Sequence, residues 1–156
     1  MGAIELWLDP ESDPAAIVPW RDRFGVTIET QAGDDLGARM RNALRSSTTR
    51  GVPALLVGTD VPGYDVAYLA RAAAALERHD AVIGPAEDGG YVLVGLARDV
   101  DVFGGVPWST PEVMAATRAR LAAAGASHVE MPPLWDVDTH DDYVRWRDRR
   151  PALATS

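Results

Sequence analysis

The chain contains no cysteine and no lysine. Without cysteine, disulfides, thiolate metal sites and cysteine nucleophiles are excluded. All 15 basic residues are arginine. The missing lysine removes a Walker-type phosphate loop, Schiff-base chemistry and a lysine general base, so phosphate handling falls to arginine, backbone amides or a metal. There is no signal-peptide pattern and no apolar run long enough to cross a bilayer, which gives the expectation of a soluble cytoplasmic protein with no membrane partner. An excess of 23 acids over 15 bases argues against a nucleic-acid-binding surface. Neither a Gly-x-Ser-x-Gly elbow nor a His-Glu-x-x-His helix occurs.

At 156 residues, with no linker, repeat or low-complexity tract, one domain covering 1–156 is expected. Its organising stretch is Ala54-Leu55-Leu56-Val57-Gly58-Thr59-Asp60-Val61-Pro62-Gly63, which reads as a buried parallel strand ending at a carboxylate. Strands are also expected at 4–8, 26–30, 81–85, 91–96 and 127–131. Between them, helices are expected from Pro14 to Phe24, shortened or kinked by Pro19, and from Asp35 to Thr48. Further helices run from Asp65 to about His79, from a Ser109 or Thr110 cap to about Ala124, and from His140 to Asp148. Alternating strands and helices predict an α/β fold, a doubly wound, mostly parallel sheet with helices on both faces.

The acids fall at strand ends. Asp60 closes the central strand, where open α/β sheets bind ligands and where an acid can hold a divalent cation against phosphates; it equally closes an Asp turn before Pro62. Glu87-Asp88-Gly89-Gly90 sits between two strands, as a ligand-approach loop or a simple tight reversal. If residues 136–138 are extended, Asp136 and Asp138 share a face and could complete a magnesium site begun by Asp60. Thr139 or Asp138 would also cap the last helix, with Asp142 completing a capping box. Asp136-Val137-Asp138 is similar to the aspartate motif of haloacid-dehalogenase-type phosphatases, but His140 stands where threonine or valine is required. Gln31, at a strand end, carries an amide able to read a heterocycle. Trp108 would staple the following helix to the core. Arg145, Arg147, Arg149 and Arg150 read as a solvated basic helix end.

Taken in order, Gln31 to Met40, Gly58-Thr59-Asp60-Val61-Pro62-Gly63, Gly84-Pro85-Ala86-Glu87-Asp88-Gly89-Gly90-Tyr91, Trp108-Ser109-Thr110 and Asp136-Val137-Asp138-Thr139 resemble one family across nearly the whole chain. It is a bacterial, glycosyltransferase-like branch of the GT-A-type nucleotide-diphospho-sugar transferases, related to the guanylyltransferases that act on molybdenum cofactor and phospholactate. The resemblance implies a metal-dependent nucleotidyl- or glycosyltransferase with a nucleoside triphosphate or nucleotide-sugar donor. It implies Mg2+ or Mn2+ held by Asp60 and Asp138, catalytic roles for Asp60 and Asp88, and a nucleotide side formed by Gln31, Gly33, Arg39 and Thr59. Glu87, Gly89 and Trp108 would border the acceptor, whose identity does not follow. Relatives of this kind begin with a strand and a basic, glycine-containing loop that this sequence does not show. The expectation is therefore exposed strand edges, a possible homo-oligomer through them, and, as the alternative function, a non-catalytic binding or assembly module.

Overall fold

The computed structural model describes residues 2–149. Strand β1 (Glu5–Leu8) pairs in parallel with β2 (Thr27–Thr30) in a two-stranded sheet. The expected single helix between them is split into a 3-10 turn, Pro14–Ala16, and α1 (Val18–Phe24). Pro19 is the cause: in the first turn of α1 it has no N–H to give to the preceding turn, so the two pieces meet at Ile17. Gly25, at φ 65°, ends α1 in the left-handed conformation that glycine adopts without strain.

Helix α2 (Leu36–Thr48) leads to β3 (Ala54–Val57), α3 (Val66–Ala75), β4 (Ala81–Pro85) and β5 (Tyr91–Leu96), then α4 (Val113–Ala123), β6 (His128–Glu130) and α5 (His140–Arg149). Asp35 and Asp65 cap α2 and α3, accepting the N–H groups of Ala38 at 2.7 Å and Tyr68 at 2.6 Å. The second sheet has the order β3-β5-β4-β6. β4 and β6 are parallel, while β5 runs antiparallel to both of its neighbours.

Alternation along these strands builds two cores. Ala81, Ile83, Val94 and Leu96 meet Leu44 of α2 and Met114 and Leu121 of α4 on one face. Val82 and Leu93 meet Tyr68 and Ala72 of α3, together with Leu76, on the other. Helices therefore cover both faces of the sheet, as a doubly wound architecture requires.

Two expectations need correction. β3 is not a buried parallel strand: it pairs antiparallel with β5, its other edge has no strand partner among the described residues, and Val57 is 39 % exposed. The β4–β5 hairpin causes this, because β5 turns back and inserts itself between β3 and β4. Nor does Ser109 or Thr110 cap α4. Ser109 takes φ 61°, far from the extended backbone of a cap, and Glu112 occupies the cap position without a side-chain bond. Thr110 Oγ1 still accepts the Glu112 N–H at 3.3 Å.

Candidate functional site

The carboxyl ends of β3, β4 and β6 lie on the same side of the second sheet, since these three strands run in one direction. The chain leaving β6 is stretched across those ends. Leu134 donates to Pro85 O at 3.0 Å and accepts from Glu87 N at 3.0 Å, and Val137 N–H donates to Asp60 O at 3.0 Å. This strap carries Asp136 and Asp138 over the β4–β5 turn, where the Asp88 carboxylate accepts Gly90 N–H at 2.9 Å. One carboxylate oxygen each from Asp88, Asp136 and Asp138 lie within 4.8 Å of one another.

Among the described residues no arginine is paired with any of these three acids. Burial pushes the Asp136 carboxyl above its usual range, reinforced by the charges of Asp138, Asp88 and Asp60. Asp138 is raised by burial and then by Asp60, Asp88 and Asp142. Uncompensated carboxylates converging on one point are the donor set that a hard divalent cation takes, so the residues present fit magnesium or manganese. Asp60 stands outside the tight triplet but within reach of its field.

Beside the triplet opens a cleft of about 480 Å³. Trp108, Tyr91, Leu36, Met40 and Val113 supply its apolar walls, and Ser109, Thr110 and the three acids its polar ones. Trp108 stands edge-on to Tyr91 at 6.2 Å and beside Phe103 at 6.4 Å, so its indole is fixed rather than free to swing. Gly37 of α2 lets the indole in: a Cβ there would lie 2.5 Å from Trp108 Cζ2.

The remaining sequence-derived candidates are placed differently. Gln31 donates to Trp7 O at 2.9 Å. Arg39 bonds Asp9 at 2.7 Å and Gly33 O at 3.4 Å, and Gly33, at φ 142°, leaves no space for a Cβ against Ala38 and Arg39. Gly33 and Arg39 meet at the start of α2, whose Leu36 and Met40 reach the cleft, while Gln31 ties the end of β2 back to β1. Thr59 is exposed in the bend before Asp60. Gly89, at φ 96°, packs against the Pro111 backbone and accepts Met114 N–H at 3.0 Å, fastening the turn to α4.

Glu87 faces away from the cleft. Arg145 grips it with two bonds, 2.7 and 3.0 Å, which hold its carboxyl below the usual range. The same guanidinium lies 4.2 Å over the Trp135 ring. Arg145 is thus a clamp from α5 onto the β4–β5 turn rather than part of a solvated basic end; Arg150, assigned to that end from the sequence, lies outside the described residues. Asp136 belongs to the site more firmly than the sequence suggested. Its two-residue spacing from Asp138 was the signal.

The architecture and the acids at its strand ends define an α/β protein of the nucleotide-diphospho-sugar transferase fold. A solved structure from Desulfovibrio desulfuricans G20, provisionally described as a nucleotide-diphospho-sugar transferase, superposes with a TM-score of 0.82 at 29 % identity. The match covers 97 % of this chain and 68 % of that one. The chain belongs to the family described as uncharacterized proteins conserved in bacteria (DUF2064), whose profile matches residues 1–110. No curated protein matches it.

Proposed function

We propose that the protein is a divalent-metal-dependent transferase that takes a nucleoside triphosphate or nucleotide sugar as donor and passes a nucleotidyl or glycosyl group to an acceptor hydroxyl. The observation that carries this reading is the convergence of Asp88, Asp136 and Asp138 within 4.8 Å at the carboxyl ends of the strands. The likeness to the Desulfovibrio protein supports it. Magnesium or manganese would be held by these three acids with Asp60 alongside, and when bound would offset the charge of the donor's phosphates. The chain's own residues do the rest. The strap 134–138 positions the acids; Gln31, Gly33, Arg39 and Thr59 border the nucleotide; and the Trp108 cleft aligns the acceptor and sheds water. In the transfer, the acceptor oxygen bonds to the transferred group, the bond from that group to the donor's phosphate oxygen breaks with its electron pair, and the hydroxyl proton leaves to Asp88 or to solvent. The reaction so placed belongs to the cytoplasm, where nucleotide donors are made.

Thermal denaturation against nucleoside triphosphates and nucleotide sugars, with and without magnesium, tests this. A donor at about 100 times its dissociation constant adds about 2.7 kcal/mol. The expected result is a magnesium-dependent rise lost in Asp60→Ala and Asp138→Asn. No rise with any nucleotide, or a rise unchanged in both variants, contradicts the reading.

Among the described residues the outer edges of β1 and β3 have no strand partner, which favours a second reading, a non-catalytic assembly module joined through strand edges, including to a second copy of itself. That reading predicts a stable oligomer indifferent to nucleotides.

A further inference from the structure

Resting on the transferase reading, the clamp made by Arg145 bears on how the acidic triplet keeps its shape. The three carboxylates come from two segments: Asp88 from the β4–β5 turn, Asp136 and Asp138 from the strap that leaves β6. Arg145, on α5, touches both. Its guanidinium gives two bonds to Glu87, the neighbour of Asp88, at 2.7 and 3.0 Å. The same guanidinium lies 4.2 Å over the ring of Trp135, the neighbour of Asp136. The helix that carries it begins two residues after Asp138, where Thr139 and Asp142 bond one another. The chain from Asp138 through α5 is thereby closed back onto the turn and the strap, in a ring that passes beside all three carboxylates.

Backbone bonds fix Leu134 to Pro85 and Glu87, and Val137 to Asp60. Arg145 grips side chains beside and between those points. A fork of two charge-assisted bonds holds direction as well as distance, which a point charge does not. A small divalent cation such as magnesium demands near-ideal ligand geometry, so a slight shift of one carboxylate costs affinity. We propose that Arg145 is a positioning residue: by gripping Glu87 and Trp135 together it sets the spacing of Asp88 from Asp136 and Asp138, and with it the affinity of the triplet for a divalent cation. Glu87 then serves the site from outside the cleft.

Charge alone and positioning predict opposite signs. Arg145→Gln removes a positive charge from beside an acidic site and frees Glu87, so by charge alone a cation binds more tightly. If Arg145 positions the triplet, the variant instead binds Mn2+ about tenfold more weakly, as loss of an outer-shell partner does. Titration of Mn2+ into the full chain, followed by electron paramagnetic resonance, reads the difference without donor or acceptor. Arg145→Lys keeps the charge but loses the fork and the flat face, and should be weakened nearly as much. Trp135→Leu should weaken binding several-fold, and Trp135→Phe should restore most of it. The charge of Arg149 also reaches Glu87, without a bond to it among the described residues. Arg149→Gln is therefore the charge control, and should bind Mn2+ as well as the parent or better. Unfolding midpoints in chelator should hardly move, because a solvent-exposed ion pair contributes little to stability. Affinity in Arg145→Gln equal to or above the parent's overturns the proposal, and so does an equal loss in Arg149→Gln. A weakening confined to variants with a lowered midpoint assigns Arg145 to the fold alone and overturns it too. If the parent chain takes up no Mn2+, the metal reading falls together with the proposal. If the parent binds it, Asp138→Asn does not and Arg145→Gln still does, the positioning assignment alone fails.

Discussion

The two sheets are built to different standards. The four-stranded sheet is packed on both faces, with Val82, Ile83, Leu93, Val94 and Leu96 all at 2 % exposure or less. The two-stranded sheet has no such interior: Val26 is the one buried residue before α2 among the described residues, and α1 buries nothing completely. Trp20 and Phe24 stack on each other at 5.7 Å while remaining 55 % and 52 % exposed. An isolated strand pair with one short helix is marginal at best in water. The first sheet is therefore held mainly through its attachment to α2, by the Arg39–Asp9 pair and the bond from Asn42 to Ala32 O. The site follows the same division, with every carboxylate of the triplet on segments that leave the strand ends of the larger sheet, and Gln31 and Gly33 on the segment that leaves the smaller one. On the proposed function, metal binding and donor capture would rest on parts of unequal stability, and the weaker part is the one that local opening reaches first.

The sharpest way to break this contrast is a pair of core truncations. Leu93→Ala, at a fully buried position in the middle of the larger sheet, should cost about 2–5 kcal/mol in urea unfolding. Leu6→Ala in half-buried β1 should cost about 1 kcal/mol or less. Equal losses would mean that the two sheets unfold as one unit. Next in size, Gly37→Val drives a side chain into Trp108, with the Cβ alone 2.5 Å from the indole, and should cost about 1–3 kcal/mol. Because α2 is the link between the sheets, this change should also loosen the β1 and β2 amides in hydrogen exchange. Loss of stability without that loosening would assign Gly37 to the larger sheet alone.

Local chemistry made much of this structure legible. Asp35 and Asp65 announce their helices, Gly25 ends one, and Thr139 with Asp142 forms the expected capping box, with bonds of 2.6 to 3.2 Å. The alternation of apolar strands and helices gives the doubly wound class, and the spacing of Asp136 and Asp138 puts both carboxylates in one site. Long-range pairing was not legible. Nothing in Ala54–Val57 says that its neighbour is β5, because that depends on how the Gly89–Gly90 turn folds the hairpin back. Nothing near Glu87 signals that Arg145, 58 residues away, draws it out of the cleft. The left-handed Ser109 was equally hidden, since serine carries no preference for that conformation.

A smaller effect probes the far end of the larger sheet, where Asp80 ties the start of β4 to β6. Its carboxylate accepts from Arg98 at 2.6 Å and from Ser127 N–H at 2.9 Å, and these bonds, with Arg98 first, hold its pKa down to about 2. A depressed carboxylate stabilises the fold above its unfolded value of 3.8 and loses that contribution as pH falls through the folded value. After allowance for solvent screening, Asp80→Asn should cost about 1 kcal/mol at neutral pH. The difference from the parent protein should shrink between pH 4 and 2. A cost that persists undiminished in acid would show that the amide disturbs packing rather than charge.

The smallest effect has the opposite sign and lies on the strap across the strand ends of the larger sheet. The Asp138 carboxyl is raised above 3.8 by burial and by Asp60, Asp88 and Asp142, so the folded chain binds its proton more tightly than the unfolded one. Its contribution to stability is therefore greatest below about pH 4 and declines as pH rises through the folded value, leaving a net cost at neutral pH. Asp138→Asn removes that cost and should stabilise the metal-free protein by a few tenths of a kcal/mol at neutral pH, water screening much of the repulsion. Magnesium should reverse the ranking, because it stabilises the parent triplet and has lost a ligand in the variant. Calorimetric scans at neutral pH, with magnesium and with chelator, read both signs in one experiment. An asparagine variant less stable than the parent in chelator would mean that Asp138 supports the strap through its contacts and that charge repulsion is not what the triplet stores.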